Sequence, residues 1–170
     1  MINKTLRMLA AAAVLACTPA YAQQQPPALV KVFKDWPLYK HQSTGLTVCF
    51  VASQPKSRSP RNLQSDKTYF YVSSWPKEGV KAEVSVKMGY EIKKNSTVSV
   101  QIGSNVFKLF TDKDNAFVAD LSDELKLIEA VKGGSSMVIK GTNAQGQETE
   151  DTYSLSGSTA AINAMANDCT

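Results

Sequence analysis

The sequence predicts a mainly β fold, an antiparallel β-sandwich carrying two short helices. Three observations predict it. Short runs alternate apolar and polar residues, clusters of Gly, Pro, Asn and Ser separate those runs, and only two stretches space their apolar residues as helices do. At 170 residues with 43% hydrophobic content, the chain can bury one proper core.

The first 22 residues stand apart from that core. Lys4 and Arg7 form a basic start, Leu9 to Ala16 an unbroken apolar run, and Ala20-Tyr21-Ala22 places small residues where a signal peptidase reads them. Cleavage after Ala22 is the expectation. A rival reading takes Val14-Leu15-Ala16-Cys17 as a lipoprotein box, with Cys17 lipidated. Neither this run nor any later one is long enough for a transmembrane helix. Residues 23–29 form a polar, proline-rich leader, and residues 30–170 the single domain.

Within the domain, Val30 to Lys34 alternates weakly, and Pro37 confines that segment to an edge or ends it. Leu46 to Ala52 is a short apolar run containing Cys49, and Tyr69 to Val72 reads as a strand. The clearest strand is Val80 to Met88, where Val80, Ala82, Val84, Val86 and Met88 alternate with polar residues. Val98 to Ile102 and Val106 to Phe110 flank Gly103-Ser104-Asn105 and read as a hairpin. Ser136 to Lys140 and Thr149 to Leu155 complete seven or eight strands. Ser122 to Lys132 is a helix capped by Ser122 and stopped by Gly133-Gly134, with Leu125, Ile128 and Val131 as its buried stripe. Ser158 to Asp168 is the second helix, its stripe made by Ile162, Met165, Ala166 and Cys169.

Charge and cysteine content bound the function. Of 19 basic residues two lie in the signal, which leaves 17 against 15 acidic ones, a net +2 that does not argue for nucleic acid. Once Cys17 leaves or is lipidated, Cys49 and Cys169 remain. In an oxidising compartment they read as a disulfide, with two unlinked buried thiols as the alternative.

Each candidate for chemistry meets a plainer explanation. His41 is the single histidine, and metal sites want several close ligands. Asp112-Lys113-Asp114-Asn115 opens like a calcium loop, but Phe117 and Asp123 occupy the glycine and glutamate positions, so it reads as an acidic turn. Asp120, Asp123 and Glu124 are explained by a helix N-terminus. No catalytic residue, metal ligand or cofactor site is assigned. Lys56, Arg58 and Arg61 make a compact basic loop, the candidate contact for a protein partner or for lipid headgroups at a membrane surface.

Several blocks give the chain a family likeness. Phe33-Lys34-Asp35-Trp36 fits an F-x-D-W opening. Cys49 to Lys56 (CFVASQPK), Tyr69 to Ser73, Gly79 to Tyr90, Asp151 to Gly157 (DTYSLSG) and Thr159-Ala160-Ala161 follow it. In these blocks the chain resembles the invasion-associated locus B family of exported alphaproteobacterial proteins. The resemblance implies an immunoglobulin-like sandwich exported to the periplasm or cell surface, an association with host-cell entry in some members, and no catalytic residues. Many members carry a cysteine soon after the Trp; here Lys40 and His41 stand in that region, which favours pairing of Cys49 with Cys169. The functional expectation is a non-enzymatic module binding an envelope or host protein. The alternative is a periplasmic carrier of a small apolar ligand or lipid, held between sheets by Tyr69, Phe70, Tyr71 and Trp75.

Overall fold

The computed structural model describes residues 26–63 and 65–169. The expected signal segment, its cleavage point after Ala22, and Cys17 lie outside the described residues.

Among the described residues eleven strands form one antiparallel sheet: β1 (Ala28–Phe33), β2 (Trp36–Ser43), β3 (Leu46–Ser53), β4 (Ser57–Ser59), β5 (Tyr69–Trp75), β6 (Val80–Lys87), β7 (Val98–Ile102), β8 (Asn105–Asp112), β9 (Asn115–Phe117), β10 (Ser136–Thr142) and β11 (Glu148–Ser154). Their order across the sheet is β1-β2-β3-β5-β6-β9-β8-β7-β10-β11-β4. Strand β8 is shared. Its residues 105–109 pair with β7 and its residues 110–112 with β9, so the sheet bends along β8 and folds back over itself. The mainly β, antiparallel sandwich with two helices is therefore what the chain forms.

Alternation sets what faces inward. Phe70 and Val72 on β5, Val84 and Val86 on β6, Val98, Val100 and Ile102 on β7, and Met137 and Ile139 on β10 all join one buried cluster. Helix α1 (Leu121–Gly133) packs on β6 and β8, and α2 (Ser158–Asp168) on β1, β2, β3 and β5. The helices also join end to end, because Ser158 Oγ and Thr159 Oγ1 donate to the Val131 and Lys132 carbonyls in the last turn of α1.

The structure corrects several local readings. Ala28 and Leu29, assigned to the leader, already pair with Lys40 and Tyr39 in the sheet. The Val30–Lys34 segment does lie in an edge strand, β1, but Pro37 itself opens the next strand, β2, where it faces Val32 before the β2–β3 ladder begins. Helix α1 is capped by Asp120, whose carboxylate accepts from the Asp123 amide, and not by Ser122. Its buried stripe is Leu127, Ile128 and Val131, while Leu125 is 54% exposed. In α2, Ala166 faces outward and Ala161 takes the core position expected of it.

A second line of contact joins the halves on the side away from β8, and the F-x-D-W block makes it. Trp36 Nε1 donates to the Ser154 carbonyl at 3.0 Å, the Asp35 amide to Ser156 at 3.3 Å, and the Lys56 amide to Thr152 at 2.7 Å. Gly157 lies against the Phe33 carbonyl with φ of 98°, a backbone conformation L side chains rarely adopt, and any Cβ there would collide with that oxygen. We call this line the clasp.

Candidate binding face

Cys49 and Cys169 form a disulfide with Cα atoms 5.8 Å apart, pinning the end of α2 to β3. The three basic residues expected to form one partner-binding loop are separated. Lys56 belongs to the clasp, with its Nζ 2.5 Å from Asp35 Oδ1. The hydrogen bond from Lys56, and a second from Ser154, hold the Asp35 carboxyl below the usual carboxylate range. Arg61 is exposed on a single 3₁₀ turn, Arg61–Leu63.

Arg58 is not a surface residue at all. It points inward from β4 and is 4% exposed, forming a bidentate ion pair with Asp151 on β11, which is fully buried. Its guanidinium also donates to the Leu63 and Met88 carbonyls and lies over the Tyr90 ring. Burial pushes the Asp151 carboxyl up against the pull of Arg58. Burial opposes the Arg58 charge as well, but the Asp151 bond and charge outweigh it and raise that group. A charge pair this deep depends on its hydrogen bonds to offset desolvation, and the arrangement reads as an anchor for β4.

The other candidates also have structural places. Asp112 and Asn115 face each other across the β8–β9 hairpin, with Lys113 in the left-handed region. Asp123 pairs with Lys126, and Glu124 accepts the Val84 amide beyond the end of β9, where burial raises its carboxyl. His41 faces Val48 on the outer side of β2. Among the described residues no group of three or more His, Cys, Asp or Glu could hold a metal ion, and no helix is long and apolar enough to cross a membrane.

What sequence reasoning missed is the outer face of the larger half of the sheet. Directly opposed residues share a face, and the registers Tyr39↔Phe50, Ala52↔Tyr71, Tyr71↔Ser85, Ser85↔Phe117 and Phe117↔Phe110 carry one row of side chains from β2 to β8. Tyr39 stacks on Phe50 with centroids 5.2 Å apart, and Tyr69 on Tyr71 at 5.5 Å. Phe50 meets Tyr71 edge-on at 5.9 Å, and Phe110 leans on Phe117 at 5.6 Å. Among the described residues neither helix nor the other half of the sheet packs on this side, and Phe110 is 51% exposed. The rings shield one another instead. That crowding, reinforced by Tyr69 and Tyr39, pushes the Tyr71 hydroxyl up to about 12.

The face also corrects the idea that Tyr69, Phe70, Tyr71 and Trp75 together line an internal cavity. Successive strand residues point to opposite sides. Phe70 is buried inward, edge-on to Trp36 with centroids 5.9 Å apart, while Tyr69 and Tyr71 point outward. The signal was present in the alternation of Tyr69-Phe70-Tyr71, but the sequence does not say which face lies uncovered.

The fold and this face define a disulfide-tied, mainly β domain that presents an aromatic sheet surface over a buried apolar core. Comparison places that domain. The family model described as invasion associated locus B (IalB) protein matches residues 39–166, and the chain belongs to that family. No curated protein matches. Among solved structures, the crystal structure of invasion associated protein B from Bartonella henselae is similar in fold. Its TM-score is 0.60 at 16% sequence identity, over 82% of this chain and 97% of that one.

Proposed function

We propose that this protein is exported, released by cleavage after Ala22 into the periplasm or onto the cell surface, and acts there as a non-enzymatic binding module of the envelope. The outer face of the larger half-sheet is its contact surface. One observation carries this reading: six aromatic side chains from five strands gather on one broad side of the sheet, which neither helix covers among the described residues. Tyrosine and phenylalanine are enriched at recognition surfaces, where they supply large contact area with few rotatable bonds. Contiguous apolar patches beyond a few hundred Å² are uncommon on surfaces with nothing to bind. Family membership supports the reading, since the family is described as invasion associated.

The test is photocrosslinking in intact cells, with a benzophenone side chain at position 71 on the face and, as control, at position 140 on the other half. A recurrent adduct from position 71, absent from position 140, supports the reading; adducts from neither site, or equally from both, overturn it. Mass spectrometry of the same purified protein checks export. A chain starting at Gln23 is expected, and a lipid on Cys17 would replace the free module with an anchored one.

A further inference from the structure

We propose that the hollow over Ala52 is a subsite for a neutral saccharide, an inference that rests on the binding face above and names its ligand class. Ala52 lies on the outer side of β3, yet it is only 3% exposed. Its side chain is small beside the facing Tyr71 and the Tyr39 and Tyr69 rings that share the lining, so it forms the floor of a hollow and not a bump. The hollow has a volume of about 320 Å³, at the small end of the range for small-molecule sites. Pro37 shares the floor, Tyr39 and Tyr69 stand at its sides, and Asp35, Lys56 and Gln54 form the rim.

Three features select the ligand. First, the rim charges are balanced: Lys56 and Asp35 neutralise each other at 2.5 Å. An ionic ligand would have to break that pair, whereas a hydroxylated neutral ligand can donate to the Asp35 carboxylate and accept from the Lys56 ammonium. Gln54, whose Nε2 donates to the Asp66 carbonyl, adds an amide oxygen to the rim that can accept a hydroxyl. Second, the walls are aromatic. Ring faces carry partial negative charge and attract the polarised C–H face of a pyranose, which an aliphatic wall would not do. Third, the floor lies between two ladder partners, β2 and β5, so an extended peptide finds no free strand edge here to join. Hydroxyl, C–H face and neutrality together describe a sugar ring.

The experiment uses the whole mature protein with its disulfide intact. Amide chemical shifts are followed while cellotetraose, maltotetraose or tetra-N-acetylchitotetraose is added to millimolar concentration, and affinities are taken from the titrations. At least one tetrasaccharide is expected to shift amides around Ala52, Gln54 and Tyr69. Ala52→Leu, which fills the hollow without entering the core, should abolish the effect. Tyr69→Ala should weaken it tenfold or more, Gln54→Ala should weaken it measurably, and Lys140→Ala should leave it unchanged. Near-ultraviolet circular dichroism confirms that each variant is folded, and Gln54→Ala carries the test if either aromatic-face variant is not. No shift with any tetrasaccharide, or binding that survives Ala52→Leu, overturns the saccharide subsite. If position 71 still crosslinks to a protein in that case, the binding face stands and only the ligand class fails. If neither experiment reports a ligand, both readings fall.

Discussion

Removing the Arg58 side chain while leaving Asp151 should be among the most damaging single changes available in this domain. In Arg58→Ala the Asp151 carboxylate stays fully buried and loses both of its charged donors. Orphaning one member of a buried pair costs about 3–5 kcal/mol, a large share of the roughly 5–15 kcal/mol that holds a typical domain folded. The double variant Arg58→Met, Asp151→Leu removes both charges and keeps similar volume. The Met88 carbonyl retains its bond from Thr68 Oγ1, so the interior is left without an orphaned charge. That variant should lie within about 1 kcal/mol of the parent or above it. Urea unfolding at constant pH measures all three proteins. Acid supplies an internal check. Without Arg58, burial alone acts on Asp151 and its folded pKa exceeds the unfolded one, so the folded state binds more protons and stability falls as pH rises. The Arg58→Ala deficit should therefore shrink between pH 7 and pH 5. A deficit below about 1 kcal/mol, or a double variant no more stable than Arg58→Ala, would refute the account of β4 as a strand anchored by a buried ion pair.

Other perturbations follow from the same structure. Replacing both Cys49 and Cys169 by Ser opens a loop with a sequence separation of 120 residues; the chain-entropy model gives a loss of about 5 kcal/mol, readable as the shift in urea midpoint against the oxidised parent. Gly157→Ala places a Cβ against the Phe33 carbonyl at a positive φ and should destabilise by about 2 kcal/mol or more by the same assay; an unchanged midpoint would show the clasp to be slack. Tyr71→Phe should remove one ionisation near pH 12 from the ultraviolet absorbance titration, because Tyr71 is the crowded phenol of the aromatic face.

How much of this was legible in the sequence depended on whether a residue's partner was near in the chain. The hairpin of β7 and β8, strand β6 and helix α2 were read closely, since alternation and helical spacing are local signals. Strand β4 was not, because Ser57-Arg58-Ser59 has no apolar residue and its inward side chain is an arginine. Only Asp151, 93 residues further on, makes that burial tolerable. Strand β2 is not legible because it opens Trp36-Pro37, and a proline there marks the end or edge of the preceding strand without announcing a new one. Strand β9 is three residues beside a tight turn. In α1 the cap two residues earlier than expected, at Asp120, goes with a stripe that includes Leu127 and leaves Leu125 out. The aromatic face needed the strand order β2-β3-β5-β6-β9-β8, which places residues from 39 to 117 side by side.

The clasp has a dynamic consequence. The folded-over sheet resembles a book whose spine is β8, where the backbone ladder runs unbroken from one cover to the other. The opposite margin is fastened by a handful of single hydrogen bonds through Trp36, Asp35 and Lys56, and margins of that kind are where native proteins breathe first. Strand β11 runs through Gly157 straight into α2, and Cys169 at the end of α2 is bonded to Cys49 on β3, in the other cover. The covalent bond thus bridges the margin that the weak bonds fasten. Oxidised, the book can loosen at that margin but not fall open. Reduced, its opening is limited by the clasp's own hydrogen bonds and the short β4–β11 ladder, and hydrogen exchange at the Asp35 and Lys56 amides and the Trp36 indole should quicken on reduction well before the amides of β7 and β8 do.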